Sequence, residues 1–199
     1  MSAVPVRRAV VIVSSTRAAA GIYADRTGPV IVEWARSHDF ATDDALVVAD
    51  GAPVATALAA ALATRPALVI TTGGTGVSPD DRTAEATAPL LTAQLPGFAE
   101  ELRRRGAAST PFALMSRGLA GVSGGTFVVN LPGSTGGVRD GLQLLGEVVE
   151  HVLEQLNGSA HGSAEGGSGS NGNGNSNSGS GSGSESDSRS DNNKKDIDS

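Results

Sequence analysis

Apolar runs of strand length alternate along this chain with longer stretches of mixed, helix-like character. Residues 9–13 are apolar throughout, as befits a strand buried on both faces. Residues 45–48, 67–72 and 126–131 repeat that pattern, and residues 113–116 read as a further short extended piece. Between them lie stretches with the signals of helices. One starts near Asp25 or Thr27, with Pro29 suited to its first turn, and another opens at Pro53 and runs, rich in alanine, to about residue 64. Ser78, Pro79 and Asp81 look like a helix start. Thr83 is the better cap for a longer helix over 84–93, and a second covers 97–105. The last helix spans 137–156, with Val138, Leu142, Leu145, Val149, Val152 and Leu156 as its apolar stripe.

Strand-loop-helix repeats predict an α/β fold: a three-layer α/β/α sandwich with a mainly parallel central sheet. In such folds the loops at the strands' C-terminal edge carry the chemistry. Here those loops are 14–25, 50–52, 73–81 and 132–135.

Composition limits the folded part. From residue 158 onward the chain is mostly Gly, Ser, Asn and scattered charge, and residues 166–184 hold no apolar side chain at all. Such a segment cannot bury enough surface to offset its ordering entropy, so 158–199 is expected to be a disordered tail behind one domain over 1–157. The net charge is −6; three cations against six acids in the tail carry half of it. An acidic chain poor in aromatics is not a nucleic-acid binder by composition. No apolar run could span a bilayer and no signal-peptide layout opens the chain, so a soluble, cytoplasmic protein is expected. The absence of cysteine excludes disulfides, thiolate metal sites and cysteine nucleophiles.

The candidate chemistry centres on Thr71-Thr72-Gly73-Gly74-Thr75-Gly76, which follows directly on an apolar strand. Glycines there let amide N–H groups approach an anion, and the threonines add hydroxyls. The spacing is neither a Walker A loop nor a Rossmann fingerprint, so taken alone the turn is either a phosphate cradle or a tight connection that binds nothing. Asp50 at a strand end and Asp81 after the glycine turn could together hold Mg²⁺ beside substrate phosphates. Singly, Asp50 reads as a turn residue, Asp81 as a helix-start charge and Asp25 as a cap. Ser14, Ser15 and Ser134 are candidate donors. Arg17, Arg117 and Arg139 are the cations near these loops. His38, His151 and His161 do not cluster, which argues against a histidine metal site or a catalytic triad.

A set of motifs occurs in order: Gly21-Ile22-Tyr23-x-Asp25, Thr71 to Gly76, Asp81-x-Thr83-x-Glu85-Ala86-Thr87, Pro96-Gly97-Phe98, Ser116-Arg117 and Leu131-Pro132-Gly133-Ser134. Over residues 6–156 the chain resembles the MoaB/Mog family of molybdenum-cofactor biosynthesis proteins. The resemblance implies a molybdopterin-binding-domain fold, a homotrimer, and adenylylation of molybdopterin by Mg-ATP with release of pyrophosphate. Hand-over of the product to a molybdenum insertase would follow. It implies that Asp50 and Asp81 are the catalytic and metal-holding aspartates and that Thr72, Gly73, Gly74, Thr75 and Gly76 hold nucleotide phosphates. Pro132, Gly133, Ser134, Ser14, Ser15 and Asp25 would help hold the pterin, and Ser78, Ser116 and Arg117 complete the expected contact set. A non-catalytic carrier or scaffold of the same pathway is the alternative. The chain departs from the family in two places. Pro79-Asp80 stands where many members have an arginine before the second aspartate, and Thr16 stands where many have aspartate.

Overall fold

The structure, a computed structural model, describes residues 6–158. The strands are β1 (Arg7–Ser14), β2 (Phe40–Ala41), β3 (Leu46–Val48), β4 (Leu68–Thr72), β5 (Ala93–Gln94), β6 (Ala120–Ser123) and β7 (Thr126–Leu131). The helices are α1 (Thr16–Ala19), α2 (Gly28–Ser37), α3 (Ala52–Ala63), α4 (Thr83–Thr87), α5 (Pro96–Ala107) and α6 (Thr135–Leu156). The strand order is β2-β1-β4-β7-β6-β5, with β3 also pairing β1. Pairings among β2, β3, β1, β4 and β7 are parallel, and β6 and β5 run antiparallel at the far edge.

The alternation of side chains along each central strand builds the layers. Ala9 and Val11, Leu68 and Ile70, and Phe127, Val129 and Leu131 face one core, where they meet Ile31 and Val32 of α2, Leu102 of α5 and Leu145 and Val149 of α6. Ile12, Val69 and Val128 face the other, against Val54 and Leu58 of α3. Both faces of the sheet are therefore covered, which is why the central strands read as unbroken apolar runs. Leu58, Leu145 and Phe127 are wholly buried, each contributing about 1.5–3 kcal/mol by removal from water.

The expected strands at 9–13, 45–48, 67–72 and 126–131 are present, as is the three-layer, mainly parallel architecture. On α6, Val138, Leu142, Leu145 and Val149 are buried, and Leu144 and Leu153 join them. Other expectations are corrected. The helix expected over 84–93 stops at Thr87, because Pro89 stands in the tight turn Ala88–Leu90 and supplies no N–H to continue the ladder; β5 follows. Thr83 is not a cap: its hydroxyl donates to the Gly73 carbonyl at 2.9 Å. Residues 113–116 are not extended. Pro111–Met115 forms a short 3-10 turn. The expected loop after β1 contains α1, capped by Ser15, whose hydroxyl oxygen accepts from the Ala18 amide. The tail expected to be disordered lies, beyond Gly158, outside the described residues.

Candidate functional site

Three strand ends meet at one place. In register, Val13 of β1 lies beside Thr72 of β4, which lies beside Leu131 of β7. The chain leaving β4 turns at Gly73 and Gly74, with φ of +87° and +61°. These glycines are required twice over. A Cβ on Gly73 would stand 2.2 Å from the Ser14 carbonyl oxygen, and one on Gly74 would stand 2.4 Å from Thr83 Oγ1. The Gly73 amide donates to the Leu131 carbonyl, and the Thr72 hydroxyl donates to the Pro132 carbonyl at 2.8 Å. The glycine turn is thereby bolted to the Pro132-Gly133-Ser134 turn. Among the described residues, the next three amides, of Gly74, Thr75 and Gly76, donate to no protein acceptor. Successive N–H groups of this kind form an anion-binding concavity.

Two cavities open on either side of this turn. The larger, about 690 Å³, lies toward α5 and α6. The smaller, about 520 Å³, lies toward the loops after β1 and β3. Gly73, Gly74, Asp81 and Gly133 line both.

The sequence-predicted residues divide between them. Thr75, Gly76, Ser116, Pro132 and Ser134 line the larger cavity. Ser14, Ser15, Asp25, Thr72 and Asp50 line the smaller. Ser78 and Arg117 line neither.

Several candidate donors already have work within the protein. Ser14 Oγ donates to Asp50 Oδ1 at 2.6 Å, so its proton points to the carboxylate and not to a ligand. Asp25 accepts from the Thr27 amide, the Thr27 hydroxyl and the Gly28 amide, and so caps α2 from the cavity wall. Ser134 Oγ accepts from the Gly137 amide and caps α6. Ser15 Oγ shares a hydrogen bond with the Tyr23 hydroxyl at 2.9 Å.

Asp50 is held as an anion. Burial alone would raise its pKa, but hydrogen bonds from the Ser14 hydroxyl and from the Thr16 amide and hydroxyl outweigh this and hold it below the ordinary 3.8. Thr16 is thus a donor to Asp50 and no second acid. The Asp81 carboxylate accepts from the Ser78 amide at 3.0 Å, and it lies so close to Gly76 that a Cβ there would be 2.7 Å from Asp81 Oδ2.

The cations fall differently from expectation. Arg139 lines the larger cavity as its position after β7 suggested, but Arg17 packs over the Tyr23 ring at 5.2 Å. Arg117 is engaged with the chain around the glycine turn. Arg103 and Arg26 face the larger and smaller cavities, and the sequence pointed to neither. Arg103 sits mid-helix on α5, where only the docking of α5 beside the site brings it in. Arg26 follows a capping aspartate and carries no motif signal.

Two carboxylates suit a hard divalent ion that takes its remaining oxygens from phosphate and water. Among the described residues no cluster of three or more His, Cys, Asp or Glu side chains could hold a metal ion alone.

Residues 9–151 match the family described as "Probable molybdopterin binding domain". The "Molybdenum cofactor biosynthesis bifunctional protein" of Synechococcus elongatus is 40% identical over 159 residues, covering 79% of this chain and 50% of that protein. The "Molybdopterin adenylyltransferase" of Helicobacter pylori is 35% identical over 92 residues, covering 46% of this chain and 52% of that one. Among solved structures, the molybdopterin biosynthesis Mog protein from Mycobacterium ulcerans is 49% identical with a TM-score of 0.73, covering 75% of this chain and 99% of that one. The chain spans about half the length of the bifunctional relatives it matches.

Proposed function

The chain belongs to the molybdopterin-binding-domain family of molybdenum-cofactor biosynthesis, and from that premise we propose that it transfers AMP from Mg-ATP to molybdopterin, releasing pyrophosphate. The observation that carries the reading is the shared wall. Gly73, Gly74, Asp81 and Gly133 line two cavities at once, each large enough for a ligand. An arrangement in which two substrates meet end to end needs such a junction. Asp81 at it, with Asp50 in the smaller cavity, also suits a reaction between two phosphorylated molecules that arrive with a metal ion.

In the proposed reaction a phosphate oxygen of molybdopterin attacks the α-phosphorus of ATP, a P–O bond forms, and the bond from the α-phosphorus to the bridging oxygen breaks. Pyrophosphate leaves with that electron pair. The attacking phosphate is already ionised, so no general base is required, and among the described residues neither His38 nor His151 lines either cavity. The chain's part is alignment and charge neutralisation. The amides of Gly74, Thr75 and Gly76 would hold phosphate oxygens, with Arg103 and Arg139 supplying positive charge in the larger cavity. Asp50 and Asp81 would hold Mg²⁺, which when bound offsets the charge of the reacting phosphates.

The wider proposal includes a cytoplasmic homotrimer and hand-over of the adenylylated pterin to an insertase. Exposed Phe112, Leu114 and Met115 beside the larger cavity give an apolar surface that another copy would cover. Purified protein supplied with both molybdopterin and Mg-ATP is expected to release pyrophosphate, and to release none when either is omitted. Binding of both without release would instead leave the carrier reading.

A further inference from the structure

Arg117 belongs to a Ser-Arg motif next to the site, and a cation there invites the role of phosphate ligand. Its contacts point elsewhere. The backbone amide of Arg117 donates to the Thr75 carbonyl at 2.8 Å. Its side chain then reaches along the same loop. Nε donates to the Gly76 carbonyl at 2.6 Å, Nη2 donates to the Asp81 carbonyl at 2.7 Å, and Nη1 is paired with Glu85. One planar fork therefore grips both ends of the segment from Gly76 to Asp81 and is itself aimed by a carboxylate on α4.

Inside that grip the Asp81 carboxylate is fixed by short-range bonds. The Ser78 amide donates to it, and the Asp81 amide donates to the Ser78 carbonyl, each at 3.0 Å. The carboxylate rests on Gly76, where a side chain would displace it. Asp81 faces both cavities, and Arg117 faces neither. The neighbours of Arg117, Ser116 and Gly118, line the larger cavity.

We propose that Arg117 is a positioning residue: its guanidinium clamps the 76–81 segment and so sets Asp81 at the junction of the two cavities. The inference rests on the adenylyl-transfer reading for its catalytic consequence but not for its structural one. A lysine would keep the charge and lose the clamp, because one ammonium cannot reproduce a rigid fork serving two carbonyls and a carboxylate.

The test compares Arg117→Lys and Arg117→Ala with the unaltered chain, and adds Glu85→Gln as a milder change that loosens the fork without removing it. A clamp predicts that both arginine variants lose roughly tenfold to a hundredfold in kcat, the scale of a misplaced catalytic group. KM for ATP should stay within about twofold, since ground-state binding is little touched. Amide hydrogen exchange in the peptide covering 76–82 should accelerate in both, and by a smaller factor in Glu85→Gln. Recovery of turnover by lysine but not alanine, with KM for ATP raised in the alanine variant, would overturn the proposal in favour of an anion ligand. So would unchanged exchange at 76–82. Exchange is read without turnover. A chain that releases no pyrophosphate but shows the accelerated exchange therefore retains the clamp and loses only the adenylyl-transfer reading.

Discussion

Thr16 and Asp50 hold each other across two loops. The Thr16 amide and hydroxyl both donate to Asp50 Oδ2 at 2.8 Å, and the Asp50 amide donates back to Thr16 Oγ1 at 3.1 Å. With Ser14 on the other carboxylate oxygen, Asp50 is oriented before any ligand arrives.

Thr16→Val is therefore expected to lower stability at neutral pH by about 1 kcal/mol, a charge-assisted hydrogen bond discounted for solvent screening. The pH dependence follows from the lowered pKa of Asp50. A depressed carboxyl pKa stabilises the fold above its unfolded value of about 3.8 and loses that contribution as pH falls through the folded value. The difference between wild type and variant, measured by urea unfolding from pH 7 downward, should be constant to about pH 5 and shrink below pH 4. A constant gap at all pH values would show that the threonine acts through shape and not through Asp50.

Gly73→Ala places a methyl group against the Ser14 carbonyl at a φ of +87°. It should cost at least about 2 kcal/mol and lower the melting temperature. Gly97→Ala, where nothing lies within 4 Å in α5, should be neutral or stabilising by up to about 1 kcal/mol. Similar melting temperatures for the two variants would mean that the turn is looser than the contacts imply.

Much of this site was legible because its residues obey strong local rules. A buried strand followed by glycines has few alternatives to a sharp turn at a sheet edge, and Asp50 and Asp81 lie at sheet-edge turns. Thr83 misled because a threonine before a helical pattern usually caps it. Here its hydroxyl is drawn into the glycine turn ten residues back, a tertiary contact without a local signal. Strand β6 was invisible for a related reason. It lies among Gly118, Gly121, Gly124 and Gly125, poor strand formers, and Gly121 is required because a Cβ there would be 2.4 Å from the Ala93 carbonyl of the paired edge strand. Arg103 and Arg117 have roles set by which helices and loops dock together, which spacing along the chain does not encode.

Asp81→Asn keeps the size of the side chain and removes its charge at the wall shared by both cavities. Molybdopterin binding, followed by fluorescence or calorimetry, should change by less than about threefold, while kcat falls by about a hundredfold or more. Loss of pterin binding with kcat retained would place Asp81 in recognition and not in transfer.

Arg139 lines the larger cavity near the start of α6, beside Ser134 and Gly136. Arg139→Ala should raise KM for one of the two anionic substrates by about tenfold with kcat changed far less, the pattern of lost uniform binding. Titrating salt should narrow the gap between wild type and variant. Equal KM values for both substrates at low salt would exclude the residue from ligand binding.

The central claim is that the two cavities bring a pterin phosphate and the α-phosphorus of ATP together. The most direct measurement supplies purified protein with molybdopterin, Mg²⁺ and ATP carrying label on either its α- or its γ-phosphate, and then separates the products. Transfer of AMP predicts label in the pterin fraction from α-labelled ATP only, with γ-label recovered in pyrophosphate. An unlabelled pterin fraction from α-labelled ATP, while both substrates bind, would contradict the account and leave a protein that carries its ligands without joining them.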